Sequence, residues 1–230
     1  MRKLTMFFNR ATLTAVNGRT GDQTTTYTYG TTLSDSDIAS NSLLRYVNYP
    51  DSVSGSDRVS LTYNRLGQVV TRTDQRGTIR TFNYDKLGRP TDDCVTTVGT
   101  AGTDTVVLRI SSTYEVRGMI ATLTNYDDPT PGSGTALNQV SLAYNTFAQL
   151  ENESQEHDGT VDGSTPAVGY AYASGASGSN QIRPTSLTYP DSREIDFNYG
   201  TANAINDRLS RVNALKDGVC VPPTPSFFCN

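Results

Sequence analysis

Apolar and polar residues alternate in short runs along most of this chain. In residues 58–63, Val59, Leu61 and Tyr63 share one face of an extended strand, while Ser60 and Thr62 take the other. Similar runs rich in Thr, Val, Tyr and Phe recur between glycine-containing bends, which is strand composition. Ile79 and Phe82 do not share parity, so that strand is expected to carry apolar groups on both faces. The bends are regular. Tyr63-Asn64-Arg65-Leu66-Gly67 is followed, 21 residues on, by Tyr84-Asp85-Lys86-Leu87-Gly88, with Asp74-Gln75-Arg76-Gly77 midway. Asn or Asp at the first position of a type I turn bonds to its own backbone, and glycine at the fourth accepts positive φ. Such a turn closes a hairpin through a G1 bulge. Each period is therefore one hairpin of an antiparallel meander.

The same signals partition the rest of the chain. Residues 1–23 form an N-terminal hairpin or lead-in, 24–215 a repeat β-sheet region, and 216–230 an irregular Pro- and Cys-containing tail. Strands are predicted over 11–16 and 24–29, joined through Asn17-Gly18, then over 43–49, 106–114 and 209–215, with a polar loop over 31–42. The unit recurs as Tyr114-Glu115-Val116-Arg117-Gly118 and as Tyr144-Asn145-Thr146-Phe147-Ala148. In the last copy alanine stands at the glycine position. The cost there is on the order of 1 kcal/mol, and a distorted turn is expected. The insertion 127–134, dense in Pro and Gly, is expected to project as a loop. A longer self-similarity relates Tyr49-Pro50-Asp51-Ser52 to Tyr189-Pro190-Asp191-Ser192; each leads into a strand ending in tyrosine, Tyr63 or Tyr199. Residues 202–205 suggest at most one helical turn, and Lys216-Asp217-Gly218 a bend into the tail.

Composition narrows the function classes. Hydrophobic content of 35% and charged content of 18% suit a broad sheet with a solvated face. A net charge of −4 gives no electrostatic footprint for nucleic acid. There is no Trp, but 13 Tyr supply large residues with a wet hydroxyl, on which arginines are expected to stack. Those tyrosines could equally pack the sheet or form a sugar-stacking stripe. No apolar run reaches the length of a signal peptide or a membrane span. Cys94 is expected to be an isolated thiol, and a Cys220–Cys229 bridge would be local.

Catalytic signals are weak. His157, in Glu156-His157-Asp158-Gly159, is the sole histidine, and no serine is marked as its nucleophile. Asp158-Gly159-Thr160-Val161-Asp162-Gly163 lacks the terminal glutamate of a calcium loop. Zinc knuckles and phosphate-cradling loops are absent from the sequence, and Asn152-Glu153-Ser154 is a formal glycosylation sequon. The expectation is no catalytic residue, no metal and no cofactor.

The Tyr-[Asp/Asn]-x-x-Gly-[Arg/Gln] unit, with Tyr63, Asn64, Gly67, Tyr84, Asp85, Gly88, Tyr114, Gly118, Tyr144 and Asn145, resembles the YD repeat of the RHS (rearrangement hotspot) family. The lead-ins containing Tyr49 and Asp51, and Tyr189 and Asp191, add to the likeness. The resemblance implies an all-β fold of hairpins forming a curved or spiralling repeat sheet, a partial shell. It implies a non-catalytic scaffold or encapsulating segment of a larger secreted or surface toxin-like protein. Its partners would be the remainder of that protein or a cargo domain, and export would rest on sequence outside this chain. Asp128-Pro129 lacks the flanking pattern of the family's self-cleavage site. The alternative function is a carbohydrate or cell-surface binding module using an exposed Tyr/Arg face. Open strand edges should favour self-association.

Overall fold

In a computed structural model of the protein, the alternating runs become fifteen strands in one antiparallel sheet whose hydrogen-bonded order follows the sequence. The structure describes residues 11–16, 18–19, 21–50, 57–100, 102, 104–174 and 182–217. The strands are β1 Thr12–Ala15, β2 Gln23–Thr31, β3 Ser40–Asn48, β4 Arg58–Tyr63, β5 Val69–Thr73, β6 Ile79–Tyr84 and β7 Pro90–Thr97. Next come β8 Arg109–Tyr114, β9 Ile120–Tyr126, β10 Ala136–Tyr144, β11 Leu150–Glu156 and β12 Ala167–Tyr172. The last are β13 Pro184–Thr188, β14 Glu194–Asn198 and β15 Ala214–Asp217, with the single-turn helix α1, Ile205–Arg208, before β15. Two units are distinguished: Met1–Ser111 with Asn125–Thr135, and Ser112–Thr124 with Ala136–Asn230.

In the first unit, β4 pairs with β5 through Thr62↔Thr71 and Leu61↔Arg72, and the register slips at Tyr63 to face Val69. The same slip recurs where Tyr84 meets Pro90. In the second unit it recurs where Tyr144 meets Leu150. A bulge therefore sits beside each of these tyrosine-led turns and adds local twist. Cross-strand threonines are hydrogen-bonded hydroxyl to hydroxyl: Thr62–Thr71 at 2.7 Å in one unit and Thr113–Thr122 at 2.6 Å in the other. Every residue of β6 is half-buried, as the mixed parity of Ile79 and Phe82 implies.

Few apolar side chains are fully buried among the described residues: Val59, Tyr63, Cys94 and Tyr199. Arg109, Thr31, Thr78, Thr124 and Ser186 are buried beside them. Ladders and polar side-chain bonds carry much of what a thick apolar core would carry elsewhere.

Several boundaries differ from the sequence expectations, each for a local reason. The polar loop shrinks to residues 32–39, because the Thr31 hydroxyl donates to Ile38 O (2.7 Å) and accepts from Ser40 N, letting β2 and β3 run further. The strand expected from Val106 begins at Arg109, with Val106 exposed. The strand expected over 209–215 is displaced to β15, because the chain first makes α1, and Lys216 and Asp217 extend the ladder instead of turning. Asn17, Asp51, Ser52, Cys220 and Cys229 lie outside the described residues.

Candidate functional site

The recurrent feature is the turn itself. Among the described residues six turns share one pattern: the amide of the first residue donates to the carbonyl of the fifth, and the fourth amide donates to the first carbonyl. They begin at Asn64, Asp74, Asp85, Glu115, Asn145 and Tyr189. In the first five, one oxygen of the leading side chain accepts two amides. Asn64 Oδ1 takes Leu66 N and Gln68 N at 2.9 and 3.0 Å, and Asp85 Oδ1 takes Leu87 N and Arg89 N at 2.8 and 2.9 Å. Glu115 does the same with Arg117 N and Met119 N. The fourth residue sits at positive φ, +76° at Gly67 and +80° at Gly88.

Ala148 takes φ +64° with the same bonds, Asn145 N to Gln149 O at 2.9 Å and Ala148 N to Asn145 O at 3.1 Å. The distortion expected for this copy does not occur. Asn145 Oδ1 holds Phe147 N and Gln149 N, so the strain is retained in φ rather than released. The lead-in Tyr189-Pro190-Asp191-Ser192 is likewise a turn, running directly into β14: Tyr189 leads it, Ser192 (φ +70°) takes the glycine position, and Asp191 Oδ1 accepts Arg193 N.

In three of these turns the fifth side chain pairs with the first. Asn64 Nδ2 donates to Gln68 Oε1 at 2.9 Å, and Asn145 Nδ2 to Gln149 Oε1 at 2.8 Å. Where the leader is Asp85, the fifth residue is Arg89, which donates to Asp85 Oδ2 at 2.6 Å. An amide leader needs an acceptor and a carboxylate leader a donor. The Arg89 amide, against burial and with help from the Arg89 side chain, holds the Asp85 carboxyl below its ordinary range. Burial raises Glu115, but the Arg117 side chain and the Met119 amide outweigh it and the net shift is downward. Side chains also stitch one turn to another. Gln68 Nε2 donates to Gly88 O at 2.8 Å, and Arg117 Nη1 to Asn145 O at 2.7 Å.

The strand-ending tyrosines close the gap to the preceding hairpin. The ladder of β4 with β3 ends at Ser60, that of β6 with β5 at Thr81, and that of β14 with β13 at Asp196. Three residues beyond each end, a phenol donates to a main-chain carbonyl of the neighbouring segment. Tyr63 reaches Leu44 O (2.6 Å), Tyr84 Val69 O (2.8 Å) and Tyr199 Pro184 O (2.9 Å). Burial raises all three phenols, which keeps them protonated as donors. Tyr199 was not among the motif residues read from sequence, though its place at a strand end before Gly200 is the available signal. Tyr114 and Tyr144 end β8 and β10 at the corresponding place.

Arginines hold the long loops. Arg109, 2% exposed, stacks over Tyr126 at 4.0 Å and donates to Thr130 O, Ser133 O (2.9 Å) and Ser111 Oγ (3.1 Å). The insertion 127–134 is thus pinned at its base to a buried guanidinium, while most of its residues are exposed, as expected of a loop. A Cβ on Gly134 would lie 2.5 Å from Asp128 Cβ, so the close fold of this loop requires glycine. Arg183 stacks over Tyr199 at 4.3 Å and donates to Asp207 Oδ1 (2.7 Å), Asp207 O and Ser210 Oγ (3.1 Å). Arg45 pairs with Asp35, and Tyr46 carries Arg45 and Arg58 at 4.8 and 3.8 Å. The expected stacking of arginine on tyrosine is present here, but in contacts internal to the chain.

The catalytic candidates are not brought together. His157 is exposed, and Glu156 beside it accepts the amides of His157 and Asp158 and the Thr165 hydroxyl, which holds its carboxyl low. Asp162 accepts Ser164 N and Oγ, at 2.8 Å each. Among the described residues no group of three His, Cys, Asp or Glu could hold a metal ion. Cys94 is a buried free thiol whose pKa burial raises. Among the described residues no helix is long and apolar enough to cross a membrane.

No family model matches the chain, and no curated protein matches it. Solved structures do. Part of the Photorhabdus luminescens Tc holotoxin pore matches with 11% identity over 89% of this chain and 10% of that chain, at a TM-score of 0.43. Part of TcdB2-TccC3 without its hypervariable C-terminal region matches with 13% identity over 77% of this chain and 10% of that one, at 0.32. Part of the TcdB2-TccC3-Cdc42 structure matches with 17% identity over 84% and 10%, at 0.30. The chain spans about a tenth of the length of these solved chains.

Proposed function

We propose that this chain is a non-catalytic structural repeat segment of an RHS/YD-type shell, scaffolding or encapsulating part of a larger secreted, toxin-like protein. The observation that carries the reading is the shared turn chemistry. Five leaders of matched type each tie down two amides, and side chains stitch one turn to another. Units that lean on their neighbours in this way are repeat architecture, whose stability propagates along the array. Three carboxylates that could support acid–base chemistry, Asp85, Glu115 and Asp207, are instead bound to turns or loops, which supports this reading. The partners are then the adjoining repeats and whatever they enclose.

The test is cryo-electron microscopy of the full reading frame, in which the tyrosine-led hairpins are expected to join, strand to strand, a wall around a lumen. An isolated lobe with no strand pairing to its neighbours would overturn the reading. Incubating the chain alone, with intact mass and hydrolase panels as readouts, is expected to show neither self-cleavage nor turnover. Turnover abolished by His157→Ala would contradict the non-catalytic assignment.

A further inference from the structure

We propose that the sheet face carrying Arg72 and Arg80 is a docking site for an extended acidic peptide segment whose Asp or Glu is flanked by apolar residues. The site lies within the first unit. Register sets Leu61 opposite Arg72, Arg72 opposite Arg80 and Arg80 opposite Val95, one row across β4, β5, β6 and β7. Directly opposed residues share a face, so two guanidinium side chains stand between two aliphatic ones. All four residues are half-buried. Like charges opposed across a ladder destabilise it, and the fold compensates only one of this pair. Asp93 accepts Arg80 Nε at 2.8 Å and also Nη2. Among the described residues Arg72 makes no ion pair, hydrogen bond or ring contact. Other arginines of the same unit are matched: Arg45 by Asp35, Arg89 by Asp85 and Arg109 by loop carbonyls. Arg72 is therefore a cation held partly out of water beside a second cation, with one carboxylate between them.

Charge and spacing identify the occupant. The surplus positive charge sits at the centre of the row, and both ends are apolar. The planar fork of a guanidinium is matched by a carboxylate, which accepts two parallel bonds. Three inter-strand steps of about 4.8 Å make the row about 14 Å long. In an extended peptide the side chains at i, i+2 and i+4 share a face and span about 13 Å. A segment of the pattern apolar–x–acid–x–apolar, laid across the strands, therefore sets its acid over the arginines and its apolar residues over Leu61 and Val95. A small inorganic anion would satisfy the cations and leave both aliphatic ends in water. The inference stands independently of the shell reading.

The test is NMR on the isotope-labelled full chain, reading the Arg72 and Arg80 Nε–H signals. The probes are acetyl-Leu-Thr-Glu-Thr-Leu-amide, its Gln twin, and a version with Ser in place of both Leu. The Glu peptide is expected to shift both signals saturably and to bind about fivefold more tightly than the Gln twin. The Ser version should bind more weakly than the parent. Arg72→Gln should abolish the preference for Glu over Gln, read on Arg80. In the free chain the same variant should raise the melting temperature by about 1–3 °C, since one of two opposed cations is gone. Signals that ignore the Glu peptide overturn the proposal. So does a Glu preference that survives Arg72→Gln. A lower melting temperature in that variant makes Arg72 a structural residue and overturns it too. Inorganic phosphate binding as tightly as the Glu peptide makes the pair a general oxyanion site, which overturns the peptide assignment.

Discussion

Arg109 and Arg183 perform the same task in different chemical currencies. Each precedes or begins a strand, lies over a tyrosine that ends a later strand, and bonds the loop that follows that tyrosine. Arg109 donates to neutral acceptors, the Thr130 and Ser133 carbonyls and Ser111 Oγ, has the Asp92 carboxylate 3.9 Å away, and is almost wholly buried. Arg183 uses the Asp207 carboxylate, is 11% exposed, and faces an aspartate that is 28% exposed. The first clamp is deep, and its hydrogen bonds run to groups that do not titrate. The second is shallower and titratable. A guanidinium can organise an irregular loop through its fixed fork of donors, and the acceptors decide which conditions the loop will tolerate.

Breaking the deeper clamp should cost most. Arg109→Met removes the bonds of a guanidinium that is 2% exposed to two loop carbonyls and to half-buried Ser111, together with its place beside Asp92, and is expected to lower unfolding free energy by about 3 kcal/mol. Urea titration followed by circular dichroism measures it, and a loss no larger than that of Arg183→Met would erase the distinction between the clamps. Arg183→Met should cost about 1–2 kcal/mol, since its partners regain water.

Acid should separate the two once Asp128 is neutralised. The Arg183 hydrogen bond, followed by the Asn203 amide, holds the Asp207 carboxyl below its ordinary range. A depressed folded pKa contributes stability that is complete above the unfolded value, about 3.9, and is lost as pH falls through the lower folded value. Hydrogen exchange at residues 203–210 should therefore quicken below about pH 4. In an Asp128→Asn background, which removes the carboxyl that the Thr130 amide holds below its ordinary range, any change at residues 130–135 should be smaller, because the carbonyl acceptors of Arg109 do not titrate. Equal acceleration in both loops would count against the comparison.

A finer cut is Tyr199→Phe, which leaves the ring under Arg183 but removes the hydroxyl from Pro184 O. A loss of about 1 kcal/mol is expected, with Asp207 titrating as before by NMR. The smallest effect lies away from both clamps. Ala148→Gly relieves a left-handed alanine and should stabilise by about 0.5 kcal/mol, because the relief is partly offset by glycine's freedom when unfolded. Thermal melts would show it, and a destabilised variant would mean the turn gains from its alanine.

The turns were legible because their bonds close within five residues. Asn64 with Gln68 and Asp85 with Arg89 lie in a stretch short enough for spacing alone to mark the bend and its glycine. Ala148 shows where that reading stops: the residue type predicted distortion, and the two amides held by Asn145 prevented it. Tyr189-Pro190-Asp191-Ser192 shows it again. Its bonds match those of the other turns although serine, not glycine, takes the positive-φ position.

Residue order by itself determined the strand period, the placing of most bends and the tyrosines at strand ends, because these depend on side-chain alternation and on contacts local along the chain. Tertiary structure alone decided what those tyrosines bond and which loops the arginines hold. Arg109 meets Ser133, and Arg183 meets Asp207, only after the intervening strands have paired. Periodicity carries no record of such a meeting, since the energy of each clamp comes from desolvated groups that sequence spacing leaves far apart.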